Sequence, residues 1–330
     1  MQHFASHLSI QNNPLKAAVF TAAFYFPHID KSACLGYNQK LIIYIERMMN
    51  MKKIVSIQDI SCFGKCSLTV ALPIISAMGI ETAVIPTAVL STHTGEGFKD
   101  YTFRDLTSDI PAIAKHWKSM DLKFDALYTG YLGSMEQVQI VSDFFDDFST
   151  KDNYIIVDPV LGDAGKLYAG FTQEFVSEMK RLCAKADFIM PNMTEVAFLL
   201  GIPYTETYDE AYVRDVLRRL AALGCKVPVI TGVHFDDKQQ GAAAYDSVND
   251  KYYFSFDKNV NMRFHGTGDI FSSVFSGACA LGMDIQQCLD IAVKFTLDCI
   301  EATIPNMQET WYGSCFELCL GKLIEYVNKR

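Results

Sequence analysis

Late in the chain, Gly266-Thr267-Gly268-Asp269 stands where an apolar stripe at helical spacing begins, with Phe271, Val274, Phe275 and Ala278 following. Glycines let main-chain amides approach a ligand closely, and a helix start offers unpaired N–H groups and the positive end of a dipole. Together these make an anion site. A carboxylate beside a bound anion is unfavourable for binding alone, because like charges repel. It makes sense if Asp269 is there to take a proton. The simpler alternative is that Thr267 or Asp269 caps the helix.

Other polar groups recur where short apolar runs end. Asp59 follows "KIVSIQ", His93 and Thr94 follow "ETAVIPTAVLS", and Tyr131 closes "FDALYTGY". Asp158 and Asp163 belong to "DPVLGD", Asn192 and Glu195 to "PNMTE", and Thr231 to "KVPVITG". These pieces suit phosphoryl transfer, which needs an anion cradle, a divalent cation with oxygen ligands and a base near the accepting hydroxyl. "HGTGD" offers the cradle and the base. Asn192 and Glu195, three apart, share one face of a first helical turn. Magnesium prefers one or two carboxylates with waters and phosphate oxygens, so sparse acids suit it better than a dense cluster. Neither GxxxxGK[ST] nor HRD occurs, which excludes the commonest nucleotide folds. Each piece also has a plainer role. Asn192 and Glu195 can form a capping box, Asp158-Pro159 can start a turn, and His93 can be a satisfied loop histidine. Capping alone, however, does not predict their joint order, strand end by strand end.

The elements that must hold these groups alternate. Strands read at 53–58, 81–91, 124–131, 153–160, 186–192 and 226–232. Helices read at about 66–78, 105–118, 134–147, 172–183, 193–200 and 209–223, with two more after the GTGD turn and a last one over about 314–328. "GAAAYDS" and "KYYFSFD" read as a hairpin. Alternation predicts an α/β fold with a mostly parallel sheet covered by helices on both faces, and ligands beyond the carboxyl ends of its strands. The 330 residues, 50% hydrophobic and 20% charged, suit one large domain or two small ones; without a linker or repeat, 51–330 reads as one. A net charge of −9 with no Lys/Arg-rich run argues against nucleic acid. Ten cysteines scattered through apolar stretches read as core thiols of a reducing cytosol. Cys62 and Cys66, like Cys315 and Cys319, are four apart and read as sharing a helical face, but zinc would need a second cluster. Residues 1–50 read as a non-native or upstream-start extension, poorly ordered, ahead of a domain opening near Met51. Their apolar run at 14–26 resembles a short signal core but is too short to span a bilayer.

"SIQDISCFGKCS", "LSTHTG", "LYTGYLGS", "VDPVLGD", "MPNMTE", "VITG" and "HGTGD" occur in the order seen in pyridoxal (pyridoxine/pyridoxamine) kinases of the ribokinase superfamily, which the chain resembles from about Lys53 to Thr303. The resemblance implies a ribokinase-like fold. It also implies ATP-dependent phosphorylation of the 5′-hydroxymethyl group of a vitamin B6 vitamer, usually by a homodimer. Carried over, Asp269 is the base, and Gly266, Thr267 and Gly268 hold the phosphates and transition-state charge. Asp158, Asp163 and Glu195 lie near Mg2+, with Asp163 and Glu195 as metal candidates and K+ as a further candidate ion. Asp158, Asn192, Glu195 and Thr231 lie by the nucleotide, and the loop from Gly162 to Tyr168 folds over ATP. His93, Thr94 and Tyr131 line the pyridine pocket. Asp59-Ile60 departs from the Ser-His common in the family. Its carboxylate is expected to face a cationic part of the vitamer and favour pyridoxamine, unless it only caps a turn. Met190 stands where a hydroxyl residue is frequent, and the adenine pocket near Val260 and Met262 carries no signature. A hydroxymethylpyrimidine kinase is the nearest alternative. A sugar kinase lacks its usual N-terminal glycine-rich motifs here, and a non-catalytic binder would gain nothing from Asp269.

Overall fold

Adjacent residues of the first strand serve opposite cores: Ile54 packs against one set of helices and Val55 against the other. That is the pattern of a sheet buried on both faces, and it explains why its strands read as near-continuous apolar runs. The computed structural model describes residues 51–95, 97–262 and 264–329; the expectations for 1–50 lie outside them.

In chain order the elements are β1 (Lys53–Phe63), α1 (Leu68–Ala77), β2 (Glu81–Thr92), β3 (Phe103–Asp105), α2 (Ile110–Ser119), β4 (Ala126–Thr129) and α3 (Met135–Phe148). Then come β5 (Tyr154–Val157), the small hairpin β6 (Gly162–Asp163) and β7 (Lys166–Leu167), α4 (Gln173–Cys183), β8 (Phe188–Ile189), α5 (Met193–Leu200) and α6 (Glu210–Ala221). β9 (Val227–Val233), β10 (Gln239–Asp246), β11 (Lys251–Lys258), α7 (Thr267–Ala280), α8 (Ile285–Thr303) and α9 (Leu320–Asn328) complete the described fold. The main sheet has nine strands in the order β11-β10-β9-β8-β5-β4-β1-β2-β3. From β9 to β2 every neighbouring pair is parallel, while β3, β10 and β11 run antiparallel at the margins. α1, α7, α8 and α9 cover one face and α2 to α6 the other.

Several expected boundaries move. β1 continues to Phe63, so Asp59 lies within the strand, where pairing with β2 slips between Gln58 and Ile60, rather than beyond its end. Thr231 likewise sits inside β9. Cys62 lies within β1 and Cys66 occupies the loop before α1, so they share no helical face. The last helix is shorter than 314–328, because a 3₁₀ turn at Phe316–Leu318 precedes α9. β3 and the β6–β7 hairpin have no counterpart in the sequence reading; each is only two or three residues long. Among the described residues all nine cysteines are free thiols, and no helix is long and apolar enough to cross a membrane.

Candidate active site

The first turn of α7 is left open. Gly266 precedes the helix at φ 78, and no side chain caps its amides: the Thr267 hydroxyl donates instead to the Phe264 carbonyl oxygen at 3.2 Å. The capping alternative therefore fails, and the amides stay available to an anion. Asp269, in the same turn, is partly exposed. Its carboxyl is pushed up to about 8, first by burial among protein groups and then by the negative charge of Asp158, with Asp59 adding to it. The Ser67 amide opposes the shift by donating to it. Ser67 holds φ 55, a strained value for a non-glycine residue, and its hydroxyl side chain engages Asp59. One bent residue thus ties an acid within β1 to an acid in the first turn of α7.

Asp158, one residue past β5, is buried and accepts from the Ser272 hydroxyl at 2.7 Å. Burial pushes its carboxyl up against the pull of Ser272 and of the Val160 amide, and Val160 is itself strained at φ 40. Glu195 forms the expected capping box with Asn192: the Glu195 amide donates to Asn192 Oδ1 at 3.0 Å and the Asn192 amide to Glu195 Oε2 at 2.9 Å. Its other oxygen accepts from the Leu161 amide at 2.7 Å, and Asn192 Nδ2 donates to the Gly162 carbonyl at 2.9 Å. The box therefore clamps the base of the β6–β7 hairpin as well as starting α5. Burial, then the charge of Asp158, holds the Glu195 carboxyl well above the usual range. The hairpin tip is fixed by the Gly165 amide donating to Thr194 Oγ1 at 3.0 Å. Asp163 is exposed on that hairpin, and Tyr168 just beyond it has its phenol pushed up by burial and by the charges of Glu195, Asp163, Asp158 and Asp269. Thr231 donates its amide to the Pro191 carbonyl at 3.0 Å and bridges to Asn192. Among the described residues no three His, Cys, Asp or Glu side chains converge tightly enough to hold a metal alone. With both Glu195 oxygens engaged by amides, the donor set fits a divalent ion that arrives on phosphate oxygens and keeps its waters.

On the other side, Asp59 is buried, accepts from the Ser61 hydroxyl at 3.1 Å, and is raised by burial. Tyr131 lies within its field: burial and then the Asp59 charge push the phenol up to about 12. His93, buried beyond β2, uses both ring nitrogens within the protein. Nε2 lies 2.9 Å from the Tyr312 carbonyl oxygen, and the Gly95 amide donates to Nδ1 at 3.0 Å. A carbonyl only accepts, so Nε2 carries the proton and the ring is neutral. Burial lowers its proton affinity further. His93 is thus a satisfied loop histidine with both ring nitrogens engaged within the protein. Thr94 is exposed beside it.

Residues 72–312 match the family model described as phosphomethylpyrimidine kinase. A Bacteroides thetaiotaomicron protein described as a phosphomethylpyrimidine kinase, crystallised with pyridoxal, is 40% identical with a TM-score of 0.78, over 83% of this chain and 96% of that one. Pyridoxal kinase from Lactobacillus plantarum is 32% identical with a TM-score of 0.76, over 84% and 98%. The chain belongs to the phosphomethylpyrimidine and pyridoxal kinase family. Pyridoxal kinase of Dictyostelium discoideum is also similar, 29% identical over 259 residues, or 73% of this chain and 81% of that protein.

In this kinase the acids from β1, β5, α5 and α7 are brought within each other's electrostatic reach, as the motif order implies. Ser67, Ser272 and Tyr312 are the participants that the motif reading does not single out. Ser67 stands inside the quoted "GKCS", and Ser272 lies three residues after Asp269, on the same helical face; either spacing could have flagged them. Tyr312 acts through a main-chain atom 219 residues from His93, which no side-chain pattern encodes.

Proposed function

We propose that this kinase transfers the γ-phosphoryl group of ATP to the 5′-hydroxymethyl group of a vitamin B6 vitamer. The observation that carries it is Asp269: a carboxyl with raised proton affinity, in the same turn as uncapped helix amides. In this reading Asp269 takes the hydroxyl proton as the new O–P bond forms, and the bond to the bridging oxygen of ADP breaks with its electron pair leaving on ADP. The amides at Gly266, Thr267 and Gly268 steady the charge on the travelling phosphoryl group. Asn192 and Thr231 border the nucleotide phosphates, while the β6–β7 hairpin and Tyr168 exclude water from above. A divalent cation, Mg2+ in this proposal, would sit among Asp158, Asp163 and Glu195 and neutralise phosphate charge. Thr94, Tyr131 and the carbon wall of His93 border the vitamer. The same reading includes a homodimer in a reducing compartment, the second point supported by the free thiols.

Asp59 sets the vitamer preference in this proposal. Burial disfavours its charged form, and a cationic ring nitrogen or aminomethyl group would restore it. Such a charge-assisted contact is worth about 1.5–3 kcal/mol, or roughly one to two decades of selectivity. The competing reading takes hydroxymethylpyrimidine as acceptor; the matching family model, described as phosphomethylpyrimidine kinase, supports the pyrimidine ring but names its phosphorylated form.

A coupled ATPase assay with pyridoxal, pyridoxine, pyridoxamine and hydroxymethylpyrimidine separates the two. The B6 vitamers are expected to give the higher kcat/KM, with pyridoxamine above pyridoxal in wild type and that gap narrowed in Asp59→Ser. Preference for hydroxymethylpyrimidine would replace the main reading, and an unchanged vitamer ratio in Asp59→Ser would remove the role of that carboxylate.

A further inference from the structure

The loop carrying His93 is covered by a segment beyond the last recognisable motif. Trp311 packs on Phe98 at 4.8 Å between ring centres, and Tyr312 on Phe63 at 4.7 Å. Phe98 meets His93 edge-on at 4.7 Å, and His93 meets His265 at 4.9 Å. These contacts form a continuous row of rings running outward from His265, the residue before Gly266 of the phosphate turn. The row is closely fitted: Gly97 holds φ 100, and any side chain there would overlap the Trp311 ring. Yet its outer members stay open, with Phe63 at 52% and Trp311 at 43% exposure. Grouped aromatic surface left open beside a polar site is the mark of a binding face rather than of incomplete folding.

We infer that Trp311 is a specificity-determining residue, its indole forming the outer wall against which the planar heteroaromatic ring of the acceptor packs. Tyr312 is the positioning residue of the same wall, because its main-chain oxygen fixes the His93 ring. A flat, electron-poor heterocycle gains most from such an aromatic surface, and a non-planar sugar gains little. The occupant is the acceptor rather than the nucleotide. The row begins beside the catalytic turn and borders the Asp59 and His93 side, whereas the hairpin and α5 flank the opposite one. This inference rests on the proposed phosphorylation of a B6 vitamer.

Two measurements test it. Trp311→Ala is expected to raise KM for the vitamer roughly three- to tenfold, the value of one aromatic contact, with KM for ATP unchanged and Trp311→Phe close to wild type. Because the chain has two tryptophans, Trp117→Phe leaves Trp311 as sole reporter, and added pyridoxine is expected to quench its emission saturably near KM. The second measurement needs no disruptive variant, so it decides even if Trp311→Ala folds poorly. Unchanged vitamer KM in folded Trp311→Ala, or no quenching in a Trp117→Phe enzyme that still turns over, overturns the wall. So does a Trp311→Ala enzyme with normal KM but altered mass by light scattering, which would assign the ring to contact between two copies. Failure of the wild-type enzyme to phosphorylate any vitamer would instead bring down the functional reading itself.

Discussion

Asp269 illustrates how neighbours can fit an ordinary carboxylate for the role of base proposed for it. Burial and the charges of Asp158 and Asp59 make it costly for Asp269 to carry its own charge, so it holds a proton until about pH 8. The direction matters for rate. A base must be deprotonated to act, so kcat/KM is expected to fall as pH drops below about 8 and to level off above it. Measured from about pH 5.5 to about 9.5, a flat profile would mean that no raised acid governs the chemistry. Asp269→Asn keeps size and hydrogen bonding but cannot accept the proton. It is expected to lose about 10²- to 10⁴-fold in kcat while still binding ATP, and to lose the acid limb with it.

At the scale of the element, the start of α7 uses its glycines for two different reasons. Gly266 holds φ 78, and a Cβ there would overlap the Lys65 carbonyl oxygen, a main-chain atom that cannot swing away. Gly268 has ordinary φ and nothing within 4 Å of an added Cβ, so nothing in the protein requires a glycine there. Gly266→Ala is therefore expected to lose more than about 1 kcal/mol of stability together with activity. Gly268→Ala is expected to melt at or above the wild-type temperature and yet to lose affinity for ATP, because its methyl group fills the space a phosphate would use. Thermal melts beside ATP titrations separate the cases; equal stability losses in both would make the turn merely structural. The open helix start proposed to hold phosphate was legible as a turn because glycine, helix start and carboxylate coincide within four residues. Asp59 was placed one element too late because a register slip after Gln58 lets β1 continue past a polar residue that would otherwise end it. Ser67 and Ser272 could be flagged only by their spacing from the motif residues, since serine itself fits caps, turns and helix interiors alike. The β6–β7 hairpin owes its form to Ala164 and Gly165 at positive φ and to its clamp by Asn192 and Glu195, which are tertiary facts.

In the molecule as a whole, the aromatic wall is only as firm as the two helices that flank it, and one buried acid joins them. Asp298 of α8 is 3% exposed and accepts from Lys322 Nζ at 3.0 Å and from the Tyr326 hydroxyl at 2.6 Å, both on α9. Lys294 on its own helix lies at 3.6 Å, and the Cys315 amide donates to Thr303 Oγ1 at 2.8 Å at the other end of the segment. Burial alone would raise this carboxyl, but Tyr326, Lys322 and the charge of Lys294 outweigh it and hold it below its ordinary value. A lowered carboxyl stabilises the fold above its unfolded pKa, about 4, and that contribution disappears as pH falls through the folded value. Asp298→Asn is expected to cost about 1–3 kcal/mol near pH 7, the worth of hydrogen bonds to a charged group. The two lysines are about half exposed, so water takes up their charge and the loss stays below that of a fully buried pair. Urea midpoints for wild type and variant should therefore differ most at neutral pH and converge under acid, as the wild-type carboxyl is itself protonated. A gap that stays constant down to about pH 2 would mean that shape, not charge, joins α8 to α9.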